Sequence, residues 1–123
     1  MTQDALRHWR RDLHRLPEAA WCEFRTSALI AHNLCELGFS VMLGDKLLAS
    51  NLIMGREIDV AAQKERALRQ GAHPDWLARI DEITGVMGVW DSGRPGPTLG
   101  FRFDIDAVEV EESRDPAHQP CQE

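Results

Sequence analysis

Cysteine is scarce in this chain and has no paired spacing: Cys22, Cys35 and Cys121 are odd in number, and no Cys-x-x-Cys occurs. That argues against a disulfide framework and against a complete structural zinc site; reduced thiols in the cytoplasm are the simpler account. No apolar run reaches the ~18 residues of a spanning helix, and the first residues lead directly into Arg7, Arg10 and Arg11 without an apolar leader core. Basic runs are missing too, none exceeding Arg10-Arg11. With 14 bases against 20 acids the net charge is -6, a field that repels nucleic acid and anionic membrane, so neither is read as a partner. The glycines between 85 and 96 are followed by no Gly-Lys-Ser/Thr, which argues against a phosphate loop. The expectation is a soluble cytoplasmic protein. At 123 residues it is one domain or part of one, and its 43% hydrophobic content is adequate for a core.

What is present reads as helices alternating with strands. Leu6, Trp9, Leu13 and Leu16 fall at helical spacing, Thr2 or Asp4 stands where a first turn is capped or charged, and Pro17 ends the pattern. His14 borders this stripe and is read as a helix histidine bonded to neighbouring groups. Residues 23–37 fit a second helix, with Phe24, Ala28, Ala31 and Cys35 on one stripe and Gly38 closing it. Cys22 and Cys35 read as small core or boundary residues. Residues 39–43 alternate as a short strand turned by Gly44-Asp45, and helix, glycine stop and strand together open an α/β layer. Residues 47–54 suit a strand or a buried turn. Residues 58–70 are charged, Ala-rich and helix-compatible, closed by Gly71; a short helix follows Pro74, with Trp76, Leu77, Ile80 and Ile83 on its apolar face. This charged segment, residues 55–83, is read as a helical insertion, of a kind that usually covers an edge or shields a site entrance, and more simply as a solvated face with no direct role; His73 in its loop is read the same way.

Residues 85–90 read as a strand whose small residues allow close approach, and the turn-rich connector 91–97 leads to the most informative stretch. There Leu99, Phe101, Phe103 and Ile105 alternate with Thr98, Gly100, Arg102 and Asp104, the period of a strand with one face in a core. The two runs are expected to pair antiparallel across a longer hairpin loop. Asp104 and Asp106 stand at the carboxyl end, where catalytic and ligand groups collect in open α/β sheets. If the strand continues that far, their i and i+2 spacing turns both to one side, toward a metal or its bound water. The same residues also read as the start of a solvated acidic loop, continued by Glu109, Glu111, Glu112 and Asp115. Spacing alone leaves both readings open.

Three stretches in order carry a family resemblance: Leu13-His14-Arg15-Leu16-Pro17-Glu18, Asp91-Ser92-Gly93-Arg94-Pro95-Gly96-Pro97-Thr98, and Arg102-x-Asp104-Ile105-Asp106-Ala107. Together they resemble the zinc amidohydrolases of the hippurate hydrolase, aminoacylase and carboxypeptidase-G superfamily, and within it the branch acting on p-aminobenzoyl-glutamate. The likeness covers almost the whole chain, including the charged segment and the tail Ser113-Arg114-Asp115-Pro116-Ala117-His118-Gln119-Pro120.

The resemblance implies an α/β fold in which residues 1–123 are the incomplete N-terminal part of a zinc-peptidase-like catalytic domain, helices packed on a mixed sheet. It implies hydrolysis of the amide bond in a small N-acyl or aryl-acyl amino acid, by an enzyme that uses zinc or manganese and assembles as a dimer or hetero-oligomer. Where relatives carry His-x-Asp at this strand end, the histidine binds zinc and the aspartate orients another ligand. Asp104 stands at the histidine place and Asp106 at the aspartate place. Asp106 is therefore the candidate carboxylate that fixes a ligand imidazole, Asp104 is the weaker candidate, and Arg102 is their counter-charge. Glu109 stands where many relatives have proline. The relatives' His-x-Cys-Gly-His-Asp segment has no counterpart before Glu123, and Cys121 lacks its Gly-His neighbours. No metal ligand is assigned within this chain, which by itself is expected to bind no metal and to be inactive. The alternatives are a non-catalytic assembly or binding module and a truncated reading frame.

Overall fold

Thr2 opens the first helix, α1 (Gln3–Arg15): its side chain accepts the Ala5 amide at 3.3 Å, while Asp4 charges the first turn and pairs with Arg7. The structure, a computed structural model, describes residues 2–49, 51, 53–110 and 115–116. No residue of α1 is fully buried; Trp9 and Leu13 are half-covered and Leu6 is exposed. Helix α2 (Phe24–Glu36) is the central element, burying Phe24, Ala28 and Ala31 on its inner stripe. Cys35, expected on that stripe, is exposed. In that last turn it is Leu34 that faces β2, close to Gly88.

The predicted glycine stops are both present and share one mechanism. After α2, Gly38 takes φ +84°, its amide donates to the Cys35 carbonyl at 2.9 Å, and the Phe39 amide donates to Leu34 at 3.0 Å. After α3 (Val60–Arg69), Gly71 takes φ +82°, with Gly71 to Leu68 at 3.0 Å and Ala72 to Ala67 at 2.8 Å. Each pair of bonds satisfies carbonyls that the helix end leaves open, and the left-handed position favours a residue without Cβ. The short helix α4 (Pro74–Ala78) begins on its proline.

Strand β1 (Ser40–Leu43) pairs antiparallel with β2 (Val86–Val89), in register Ser40 with Val89 and Leu43 with Val86. The Gly44 amide extends the ladder to the Gly85 carbonyl at 3.0 Å before a single 3-10 turn, Gly44–Lys46. Residues 47–49 then continue as turn and irregular chain. Among the described residues the sheet is two-stranded and antiparallel, where a mixed sheet was expected. Packed on α2, the pair forms an α/β layer. Close approach at β2 is real: a Cβ on Gly88 would lie 3.0 Å from Leu34 and 3.1 Å from Phe39.

Two expectations are corrected. Residues 98–106 form no strand, and Leu99, Phe101 and Phe103 are 74%, 79% and 79% exposed. Alternation records which side would be apolar, but a strand also needs a neighbour for its backbone groups. Here β2 takes β1 as its partner, while the connector closes on itself, Gly93 accepting φ +66° and its amide donating to the Asp91 carboxylate. The second correction concerns the charged segment. Its apolar face of Trp76, Leu77 and Ile80 is buried as expected, but Ala67 and Ala72 from the stretch read as a solvated face also join the core built on Phe24, Ala28, Ala31 and Leu43. Glu65 and Arg69 pair on the exposed side of α3, whereas Ala67 is buried and α3 and α4 pack against α2.

A Cβ on Gly44 would stand 1.7 Å from the Ile83 carbonyl oxygen, a backbone atom that cannot swing away. Gly44→Ala is therefore expected to destabilise the fold by about 3 kcal/mol, the upper range for overpacking, read as a lower denaturant midpoint.

Candidate functional site

Asp104 and Asp106 lie outside any strand, so the strand end expected to turn both to one side is not formed. Asp104 is held by Arg102 at 2.6 Å, with both side chains largely in water, a pairing that contributes little to stability. The anticipated counter-charge is thus found on Asp104. Asp106 is exposed, and the residue after it is anchored. The Ala107 amide donates to the Glu18 carbonyl at 2.7 Å, in a parallel bridge between Ala107 and Ala19.

Glu18 is the best-connected acid near this point. Its side chain is fully buried: Oε1 accepts the Arg25 amide at 3.1 Å and Arg66 Nη2 at 3.0 Å, and Oε2 accepts the Thr26 amide at 2.7 Å. Arg25 and Thr26 lie in the first turn of α2, whose amides have no partner within the helix. The capping residue Glu23 makes no cap bond and instead accepts the Thr84 hydroxyl. Glu18 thus does the capping from outside the helix, its charge facing the positive end of the helix dipole. Ser27 adds a link to β2 by accepting the Gly85 amide at 3.1 Å. Arg25 donates to the Gln70 carbonyl at 3.0 Å and pairs with Asp12 of α1, so the start of α2 joins α1 and α3 as well.

The turn between Glu18 and α2 is tightly held. Arg66 Nη2 also donates to the Cys22 carbonyl at 3.1 Å, and the Trp21 indole donates to the Met54 carbonyl at 3.1 Å. Trp21 has φ +66°, a left-handed conformation that costs a residue with a Cβ about 1–3 kcal/mol. Burial raises the Cys22 thiol pKa; Arg66 opposes this, and Glu23, Glu18 and Glu109 reinforce it.

Sequence reasoning valued Pro17-Glu18 only for its likeness to relatives. The signal that was available is an acid just ahead of a helix start. His73 stacks on His32 at 4.5 Å between ring centroids, so the loop histidine belongs to the packing of α4 on α2. Cys121 and most of the tail lie outside the described residues.

Among the described residues no group of three or more His, Cys, Asp or Glu side chains could hold a metal ion. A groove of about 420 Å³ is lined by Asp45, Glu57 and Glu82 with Arg56. Arg56 donates to the Glu82 carbonyl at 2.7 Å and lies 3.6 Å from its carboxylate. Three acids against one engaged arginine make this groove unsuited to an anionic acyl amino acid. No helix among the described residues is long and apolar enough to cross a membrane.

Comparison with known proteins gives this geometry a context. The chain is 42% identical over 118 residues to the A subunit of p-aminobenzoyl-glutamate hydrolase from Escherichia coli, a match covering 94% of this chain and 27% of that protein. The chain is homologous to part of these hydrolases. An indole-3-acetyl-aspartic acid hydrolase from Enterobacter agglomerans is likewise 42% identical, over 94% of this chain and 27% of its own length. The crystal structure of an aminobenzoyl-glutamate utilization protein from Klebsiella pneumoniae superposes with a TM-score of 0.82 at 39% identity, covering 86% of this chain and 28% of that one. The α/β arrangement of helices and strand pair is therefore that of a portion of the aminobenzoyl-glutamate hydrolase fold. The chain spans about a quarter of the length of the curated relatives it matches. No protein-family model matches it.

The thiolate is the reactive form of cysteine, so the raised pKa of Cys22 predicts an order of labelling. At about pH 7.5 Cys22 is expected to alkylate more slowly than exposed Cys35, with its rate still climbing at pH values above the ordinary thiol range. Peptide mapping by mass spectrometry separates the sites; equal rates would contradict the burial of the thiol.

Proposed function

We propose that this chain serves in an amide hydrolase that cleaves small N-acyl or aryl-acyl amino acids, with p-aminobenzoyl-glutamate the first substrate to test. The observation that carries this reading is the 42% identity over 94% of the chain to the p-aminobenzoyl-glutamate hydrolase of Escherichia coli, in its A subunit. The second hydrolase at the same identity acts, by its name, on another aryl-acyl amino acid. The complete enzyme is proposed to use zinc or manganese, and no ligand to it is proposed among the residues of this chain. In it, Asp106 is the carboxylate that accepts the N–H of a ligand imidazole and fixes its tautomer; Asp104 has a lesser part, engaged by Arg102. A cytoplasmic setting suits Cys22 and Cys35, neither of which is in a disulfide. A dimer or hetero-oligomer suits a relative whose name makes it one component of a hydrolase.

A second reading, an assembly module without catalysis, has one observation in its favour: the exposed apolar side chains of Leu99, Phe101, Phe103 and Val108. A chimera discriminates the two. This chain is substituted for the matching region of the Escherichia coli relative, which is then assayed in the assembly that relative forms. The chimera is expected to release p-aminobenzoate from p-aminobenzoyl-glutamate. Asp106→Ala is expected to cut turnover about 10–100-fold at saturating metal, with a smaller change in KM. A folded, assembled but inactive chimera would reject the hydrolase reading.

A further inference from the structure

The geometry points to Glu18 as a positioning residue for Asp106, acting through the Ala107 amide and braced by Arg66 of α3. This deepens the hydrolase reading and rests on the role given there to Asp106; it also assigns a task to the charged segment, whose helix supplies the brace. The peptide group joining Asp106 to Ala107 is planar, so a bond from the Ala107 amide to the Glu18 carbonyl at 2.7 Å orients the unit that holds the Asp106 Cα. That carbonyl can serve as a reference only if its own residue is fixed. Glu18 is fixed, because its fully buried carboxylate is bonded to two α2 amides and to Arg66 and no water is available to replace those partners.

Arg66 holds both ends of the turn, bonding the Glu18 side chain at 3.0 Å and the Cys22 carbonyl at 3.1 Å. Trp21 lies between them at φ +66°, a conformation that persists where surrounding contacts over-determine it. Capping α2 requires the two amide bonds alone. It requires neither a cation from 48 residues away nor a main-chain bond to the residue after Asp106.

The test follows the Ala107 amide in the 123-residue chain by hydrogen exchange, with the Gly44 amide, bonded to Gly85, as internal reference. In Arg66→Met and in the milder Glu18→Gln, Ala107 is expected to exchange about 3- to 10-fold faster relative to Gly44, the loss of roughly one hydrogen bond. Ile80→Val, a core change away from this link, is expected to speed both amides in step. Arg66→Lys should restore part of the Ala107 protection. In the chimera, Arg66→Met should lower kcat more than it raises KM. Ala107 protection that is unchanged, or that falls only in step with Gly44, overturns the proposal. Selective loss at Ala107 with unaltered kcat keeps the link and counts against the role of Asp106 in hydrolysis, so the two failures are distinguishable.

Discussion

A carboxylate with no access to water is costly to maintain, and the body of this fold is arranged around one. Removing an ion of this kind from solvent costs several kcal/mol even after relaxation, and deleting one partner of a buried pair costs about 3–5 kcal/mol. Glu18 is tolerated because α2 presents two unpaired amides and α3 presents Arg66 in the same place. The dependence is mutual. Without Glu18 the first turn of α2 has no cap, Arg66 loses its anion, and the turn carrying Trp21 and Cys22 loses its anchor. The link from residue 107 to the rest of the protein passes through the same residue.

The elements governed by local chemistry were legible in the sequence. The starts of α1 and α4, the glycine stops at Gly38 and Gly71, and the apolar face of Trp76, Leu77, Ile80 and Ile83 each follow from a few adjacent residues, and each is found. What was not legible depends on who stands opposite. The stretch 98–105 has the alternation of a strand but no neighbour, and β2 pairs with β1 instead of with it. The charge of α3 suggested solvent, yet small Ala67 and Ala72 sit in the core beneath it. At the site, the family resemblance suggested Arg102 as a counter-charge to the two acids, and it is found on Asp104. For Glu18 the sequence offers only an acid ahead of a helix start; its burial against Arg66 depends on a distant helix.

The relatives give a scale to the exposed apolar row. In a chain matching about a quarter of its relatives' length, Leu99, Phe101, Phe103, Val108 and Val110 all face solvent within one segment. By contrast the α2 core is closed, with Phe24, Ala28, Ala31, Ala67 and Ile80 fully buried. The two regions differ in kind: one is a packed interior, the other a backbone fastened near one end.

The pairing of β1 with β2 also ties the sheet to the helices. Residues 44–85 lie between the two strands, and they include α3 and α4. Bringing the ends of so long a stretch together from an open chain carries a loop-closure entropy. Docking α4 on α2 closes a stretch of similar length, residues 37–73, and brings the two strands near one another. One closure thus serves both contacts, so sheet and helix layer share a single entropic cost.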